Sequence, residues 1–202
     1  CGLPVSTIWG AVLLALPCLA TAQSVTTSGS VFPNPTPNPS PTWNLVSMPI
    51  FVGNGAAGSL AIANGGTVTN TGGNAVVGVN AGGNGLLTVD GPGSQLTVNE
   101  LYDGFEGGSG TVRVTNGGRI NAVSSGANGG AINLGQQVSG PPIAGILTVD
   151  GAGSTVVSDT LDVGSDQQAS LTPSGGASIV TNTIAIIGRN LGSSGSASIT
   201  GA

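Results

Sequence analysis

The sequence repeats a short glycine-anchored pattern, and this periodicity restricts the possible folds more than any other feature. One recurring element is Gly-x-apolar-x-apolar followed by a glycine-containing turn. Its six copies begin near Gly58, Gly85, Gly110, Gly145, Gln168 and Gly195, with spacings of 27, 25, 35, 23 and 27 residues. Such spacing is typical of a solenoid, in which each repeat forms one supersecondary unit that packs on its neighbours.

A second element ends in an apolar residue or its equivalent followed by glycine, and a third short apolar segment lies between the two. The strand-ending glycines are Gly53, Gly78, Gly104, Gly135, Gly164 and Gly188. Three alternating segments per repeat, each closed by Gly or Asn, predict three strands and three corners. Gly and Asn are expected at the corners because the chain must turn there with positive φ.

The predicted fold is all-β: a parallel β-solenoid of about six coils over residues 43–202, with about 4.8 Å between coils. The side chains expected to point inward are Leu60/Ile62, Leu87/Val89, Val112/Val114 and Leu147/Val149. Asp-Gly-x-Gly-Ser turns begin at Asp90 and Asp150, two coils apart, so the repeating unit is double. Two insertions, near 124–130 and 136–144, are expected in corner loops.

The first 42 residues differ from the repeats in composition. Residues 8–16 are a run of nine apolar residues or Gly, too short to span a bilayer but typical of a signal peptide. Ala20-Thr21-Ala22 fits the cleavage rule, so residues 1–22 are predicted to be an N-terminally truncated signal peptide and Gln23 the mature N-terminus. Residues 23–42, rich in Pro, Ser and Thr, are predicted to form an extended linker.

The charged and reactive residues are too few for several classes of function. The chain has three Lys or Arg residues, no His and a net charge of −5, whereas nucleic acid or an anionic membrane requires clustered positive charge. Both cysteines, Cys1 and Cys18, lie in the predicted signal peptide. We therefore predict no catalytic residue, no metal site, no cofactor and no disulfide. Asp90 and Asp150 are interpreted as turn residues rather than calcium ligands, because the coil between them offers Thr115.

The repeat resembles that of a known family. Leu-Thr-Val-Asp-Gly-Pro-Gly-Ser alternates with Gly-Thr-Val-Arg-Val-Thr-Asn-Gly-Gly, joined by apolar-Gly ends. This alternation resembles the passenger repeat of bacterial autotransporters (type V secretion), which is also associated with some sorting-signal surface proteins. The resemblance covers roughly residues 43–202. It implies a right-handed parallel β-helix outside the outer membrane, followed by a C-terminal β-barrel translocator, so we expect this chain to be a fragment of a longer protein.

These features predict a secreted or surface-displayed protein, exported through the periplasm, that acts as a structural and adhesive stalk rather than as an enzyme. Its expected partners are host or bacterial surface glycans or proteins, or further copies of itself. Attachment to the membrane is expected only through the translocator. Two alternatives remain open: the non-catalytic N-terminal part of a polysaccharide-active β-helix enzyme, and a self-associating matrix or biofilm component.

One acidic and aromatic cluster is the candidate contact patch. Five coils have an apolar residue before the strand-ending glycine, whereas the third coil has Asp103. A lone carboxylate in an apolar column is costly, so we predict a local bulge that turns Asp103 outward and lets Tyr102 or Phe105 cover the core. Glu100, Asp103 and Glu106 would then share one surface with two aromatic rings. The alternative is an ordinary Asp-Gly turn with solvated acids.

Overall fold

A computed structural model describes residues 22–35, 41–124, 130–136 and 144–201. The described residues form β-strands joined by turns and contain no helix. The first nine strands are β1 (Ser24–Gly29), β2 (Val31–Phe32), β3 (Thr42–Leu45), β4 (Ile50–Asn54), β5 (Ala57–Ala63), β6 (Thr67–Asn70), β7 (Ala75–Val79), β8 (Asn84–Asp90) and β9 (Gln95–Val98). The next nine are β10 (Glu100–Phe105), β11 (Ser109–Thr115), β12 (Arg119–Ala122), β13 (Ala131–Gln136), β14 (Ala144–Asp150), β15 (Thr155–Val163), β16 (Gln168–Ser174), β17 (Ser178–Ile187) and β18 (Ser194–Ala197).

From β3 onward the strands form six coils that stack on one another as a parallel β-solenoid. The first four coils contain three strands each, from β3–β5 to β12–β14. In the fifth and sixth coils, the first two strands merge into one long strand, β15 or β17, with an irregularity in register near Ser158 and Thr160. The predicted stack of about six parallel coils is therefore confirmed, and the predicted three separate strands per coil occur in the first four coils.

The stack has three faces. The first contains β3, β6, β9, β12 and the N-terminal halves of β15 and β17. The second contains β4, β7, β10, β13 and the C-terminal halves of β15 and β17. The third contains β5, β8, β11, β14, β16 and β18. Because the pairing is parallel and in register, equivalent positions of successive coils lie directly above one another.

The inward side chains form one continuous apolar column. All four predicted inward pairs, from Leu60/Ile62 to Leu147/Val149, are at most 1% exposed, which confirms the predicted alternation. No coil could bury these residues alone, since each row is covered by the same row of the coils above and below. Stacking thus removes from water the apolar side chains that a single coil would leave exposed.

Five of the six corners between the second and third faces use two glycines for different reasons. The six strand-ending glycines all have positive φ, between 67° and 75°, which confirms the prediction for these corners. In five coils a second glycine, near the start of the third-face strand, is needed for close approach: a Cβ on Gly85 would overlap the carbonyl oxygen of Val52 and the amide nitrogen of Gly78. The fifth coil has Ala169 at this position. The motif therefore requires one glycine for its φ and another for its lack of a side chain.

The Asp-Gly-x-Gly-Ser turn connects its own coil to the coils on both sides. The Ser94 hydroxyl donates to the Asp90 carbonyl oxygen at 2.5 Å and accepts the Gly65 N–H of the preceding coil at 3.0 Å. The Asp90 carboxylate accepts hydrogen bonds from Thr115 and Asn116 of the next coil at 2.6 and 2.7 Å. One such turn thus hydrogen-bonds to the coil before it and to the coil after it. A turn of this kind is therefore needed only in every second coil, and the simpler Asn-Gly-Gly turn occurs between.

The predicted linker is wrong over residues 24–32, which form an N-terminal cap. Strand β1 pairs antiparallel with β5, and β2 pairs antiparallel with β4. Val25 is fully buried against the first coil. The prolines begin only at Pro33, so the preceding residues keep the backbone donors and the β-branched side chains that a strand needs. By pairing with the first coil, the segment covers a sheet edge that would otherwise be open.

Both predicted insertions fall between strands, on either side of β13. Residues 125–129 and 137–143, within these insertions, lie outside the described residues. The predicted signal peptide also lies outside them, apart from Ala22, and it remains a prediction. No described segment is a helix long and apolar enough to cross a membrane.

Candidate functional site

Asp103 points into the core, so the predicted outward bulge is wrong. Its side chain is 0% exposed, and it lies in register between Val77 and Leu134 of the adjoining coils. Gly104 has φ 75°, like the other strand-ending glycines. Pairing on both sides fixes this register, and a shift of one residue would move Leu101 out of the core together with Asp103.

The buried carboxyl group of Asp103 has no charged partner. Neither of its oxygens makes a hydrogen bond to another described residue. Burial therefore raises the pKa of Asp103 well above its usual value, and the nearby backbone N–H of Ile146 lowers it by less. Oδ1 lies where a Cβ on Gly110 would be, so the glycine opposite provides the space that this carboxyl group occupies.

The outward side of the second face carries a strip of aromatic side chains, which we call the aromatic strip: Phe32, Phe51, Tyr102 and Phe105. Phe32 and Phe51 are stacked with ring centroids 6.0 Å apart. Tyr102 and Phe105 are tilted at 55° with centroids 5.4 Å apart. Val76 lies in register between Phe51 and Tyr102 and is only 6% exposed. The strip thus spans the first three coils, with Val76 of the second coil between its two pairs of rings.

A hydrogen-bonded carboxylate lies beside Tyr102. Glu100 Oε2 accepts the Tyr102 hydroxyl at 2.7 Å and the Asn74 amide at 2.9 Å. Asn99 in turn donates to Asn74 Oδ1 at 3.2 Å. Burial raises the pKa of the Tyr102 phenol above its usual value, and the hydrogen bond to Glu100 adds to the shift. The phenol therefore stays protonated at neutral pH, and its bond to Glu100 orients the ring.

The structure brings together only part of the predicted acidic cluster. Glu100, Tyr102 and Phe105 share the second face, as expected. Glu106 lies at the following corner with φ 48° and is exposed. Asp103 is on the opposite side of the strand, inside the column. The candidate contact surface is therefore the aromatic strip with one adjoining carboxylate, rather than a cluster of three acids.

Sequence reasoning missed two features of the second face. It did not place Phe32 and Phe51 beside the other rings, and it did not identify the ion pair between Asp162 and Arg189, whose charged atoms are 2.8 Å apart. Burial raises the pKa of Asp162, and the Arg189 guanidinium opposes the shift. Aligning the strand-ending glycines would have placed Phe51, Tyr102 and Asp162 in the same column, but not their partners Phe32 and Arg189. The residues two positions before these glycines form one outward column: Phe51, Val76, Tyr102, Asn133, Asp162 and Ile186.

The fold and this surface define a class of protein: a parallel β-solenoid whose second face presents aromatic rings beside a hydrogen-bonded carboxylate. Among the described residues, no three His, Cys, Asp or Glu side chains lie together in a way that could hold a metal ion. Comparisons with protein-family models, with curated proteins and with solved structures find no match.

Proposed function

We propose that the protein is a structural and adhesive stalk presented outside the cell, with the aromatic strip as its contact surface. The observation that carries this proposal is the position of the rings. Of the five aromatic side chains among the described residues, only Trp43 is buried in the core, and the other four lie on the outward side of the second face. Aromatic side chains bury large areas and are enriched at binding interfaces.

The stalk role is supported by the way the coils join. Each coil is hydrogen-bonded to its neighbours through strands on all three faces, and the apolar column continues through the stack. A solenoid of this kind is extended and presents a long surface to a partner. The strip occupies the N-terminal half of that surface, where the β1–β2 cap adds Phe32 to it.

The chemistry of the strip favours a surface glycan or a protein as the partner. The rings offer apolar area, and the Glu100 carboxylate offers a hydrogen-bond acceptor next to Tyr102. The predicted signal peptide and the resemblance to autotransporter passengers support a location outside the outer membrane. The low content of basic residues argues against a nucleic-acid partner.

Attachment of cells that display the protein tests the proposal. Cells with the unaltered chain should adhere to glycan-coated or protein-coated surfaces. A Phe51→Ala/Tyr102→Ala variant should lose adhesion by about tenfold or more, because truncating central aromatic residues commonly removes more than 1.4 kcal/mol of binding energy. The control is Thr69→Ala/Thr97→Ala, a pair in register on the first face, which should leave adhesion unchanged.

The amount of displayed protein, measured by antibody on intact cells, must be equal for all variants. Equal adhesion by the unaltered chain and the aromatic variant would exclude the strip as the contact surface. Adhesion that requires the same chain on both surfaces, with association of the purified protein in sedimentation, would favour the matrix function instead.

A further inference from the structure

We propose that Asp103 is a proton-dependent lock on the third coil. The coil is closed while this carboxyl group is neutral, and it opens locally when the carboxyl group loses its proton to solvent. The lock lies next to Gly104 and two residues from Phe105, so it controls the order of one end of the aromatic strip. The inference does not depend on what the strip binds.

Asp103 occupies a position in the column that is aliphatic in all the other coils. The equivalent residues of the other five coils are Val52, Val77, Leu134, Val163 and Ile187. Asp103 is therefore a carboxyl group where the other coils have an aliphatic side chain, and it is fully buried. A neutral carboxyl group loses far less on leaving water than a carboxylate does.

Among the described residues, no charged group compensates a carboxylate at this position. The strands packed against β10 are β7, β11, β13 and β14. Strands β7 and β13 contain no titratable residue. Arg113 of β11 and Asp150 of β14 are outward and exposed, and the inward residues of these two strands are glycine, valine and leucine. On β10 itself, Glu100 and Tyr102 face outward and hydrogen-bond to each other.

The route by which a carboxylate reaches water follows from the same geometry. Asp103 Oδ1 lies over Gly110, at the corner where the second face passes into the third. The other atoms nearest to a Cβ on Gly110 would be the Val77 carbonyl oxygen and the Gly104 amide nitrogen, so glycine and backbone line this side of the carboxyl group. Opening the corner between Gly104 and Gly110 would hydrate the carboxylate without unstacking the whole coil, and it would displace Phe105 from Tyr102.

The direction of the pH dependence follows from proton binding. The folded chain holds the Asp103 proton more tightly than the unfolded chain, whose aspartate pKa is about 3.9. The stability that the protonated Asp103 contributes is therefore fully present below that pH and is lost as the pH rises through the folded-state pKa of Asp103. Between the two pKa values, the unfolding equilibrium constant rises about tenfold per pH unit because one proton is released on unfolding.

Denaturant unfolding of the full chain between pH 4 and pH 8 tests the lock. The unaltered protein should lose stability as the pH rises over part of this range. Asp103→Asn has the same shape but no proton to lose at this position, so its profile should lack the part of the decrease that Asp103 causes and keep only the part due to Asp162. The control is Glu106→Gln, which removes an exposed acid three residues away and should retain the decrease.

Parallel pH profiles for the unaltered protein and Asp103→Asn would overturn the proposal. Should Asp103→Asn fail to fold, the carboxyl carbon of Asp103 can be titrated by NMR in the unaltered protein. A midpoint well above about 3.9, with altered Phe105 ring signals at the same pH, supports the lock. A midpoint near that value, or ring signals that do not change with it, would contradict it.

Discussion

Two buried aspartates show how a side chain's surroundings decide whether its charge can be kept. Asp162 faces outward and is 2% exposed, but Arg189 lies over it and supplies the opposite charge. Asp103 faces inward and has no such partner. Burial raises the pKa of both carboxyl groups, but only at Asp162 does a neighbouring cation oppose the shift. A carboxylate can therefore persist at Asp162, whereas the neutral form is favoured at Asp103.

Replacing Asp103 by valine should stabilise the protein. Valine matches the residues at this position in three other coils and removes a buried polar group without a partner. We expect the free energy of unfolding at pH 7 to rise by more than about 1 kcal/mol. The matched control is Val52→Asp, which introduces the same group at the same position of the first coil and should cost about 3 kcal/mol or more. A loss of stability in Asp103→Val would contradict the burial of this side chain.

The orientation of Asp103 was the least predictable feature of the sequence, and the reason is physical. The energetic cost of burying an acid pointed to an outward bulge. That cost is local, whereas the register of β10 is set by β7 and β13 together and by the glycine that ends each strand. Outward rotation would have exposed Leu101. Protonation costs less than breaking this register, and nothing in the sequence alone gives the relative size of the two costs.

At the scale of the element, the corner glycines differ in what a side chain would meet. Gly78 and Gly55 have similar φ values, 70° and 65°. A Cβ on Gly78 would overlap the carbonyl group of Ser109, whereas a Cβ on Gly55 would have no atom within 4 Å. The two positions therefore separate backbone strain from steric overlap.

Gly78→Ala should destabilise the protein by about 3 kcal/mol or more, because strain and overlap act together. Gly55→Ala should cost only about 1 kcal/mol, from the left-handed backbone alone. Chemical denaturation of both variants measures the difference. Equal losses would mean that the corner next to Gly78 is looser than the structure shows.

Elements built on the repeat were predictable, whereas the element outside it was not. The strands, the inward pairs and the glycine corners follow from a pattern that recurs six times. A chance resemblance in one copy is therefore outweighed by the other five. The cap strand β1 occurs once, and its Ser/Thr-rich sequence continues into the prolines of the following segment. Its pairing depends on the free edge of β5, which exists only after the first coil has folded.

At the scale of the whole molecule, the first and second faces present different chemistry on one column. The first face shows mainly neutral polar side chains, as in the row Thr69, Thr97 and Asn121, together with the exposed Arg119. The second shows the aromatic strip and then, toward the C-terminal coils, Asn133 and the Asp162–Arg189 pair. Contact with a partner is thus expected on one side of the stalk. This asymmetry became visible only once the register between coils was known.

The in-register stacking of the coils as a rigid column determines both the buried core and the rows of side chains on each face. Spin labels on Ala61→Cys and Thr172→Cys, with Cys1 and Cys18 replaced by serine, measure it directly. These positions lie in one outward column of the third face, four coil steps apart. At about 4.8 Å per step, their backbones should be about 19 Å apart. Pulsed electron paramagnetic resonance should give a narrow distance distribution near that value, allowing for the label arms. A broad distribution, or one centred at a much longer distance, would contradict the stack.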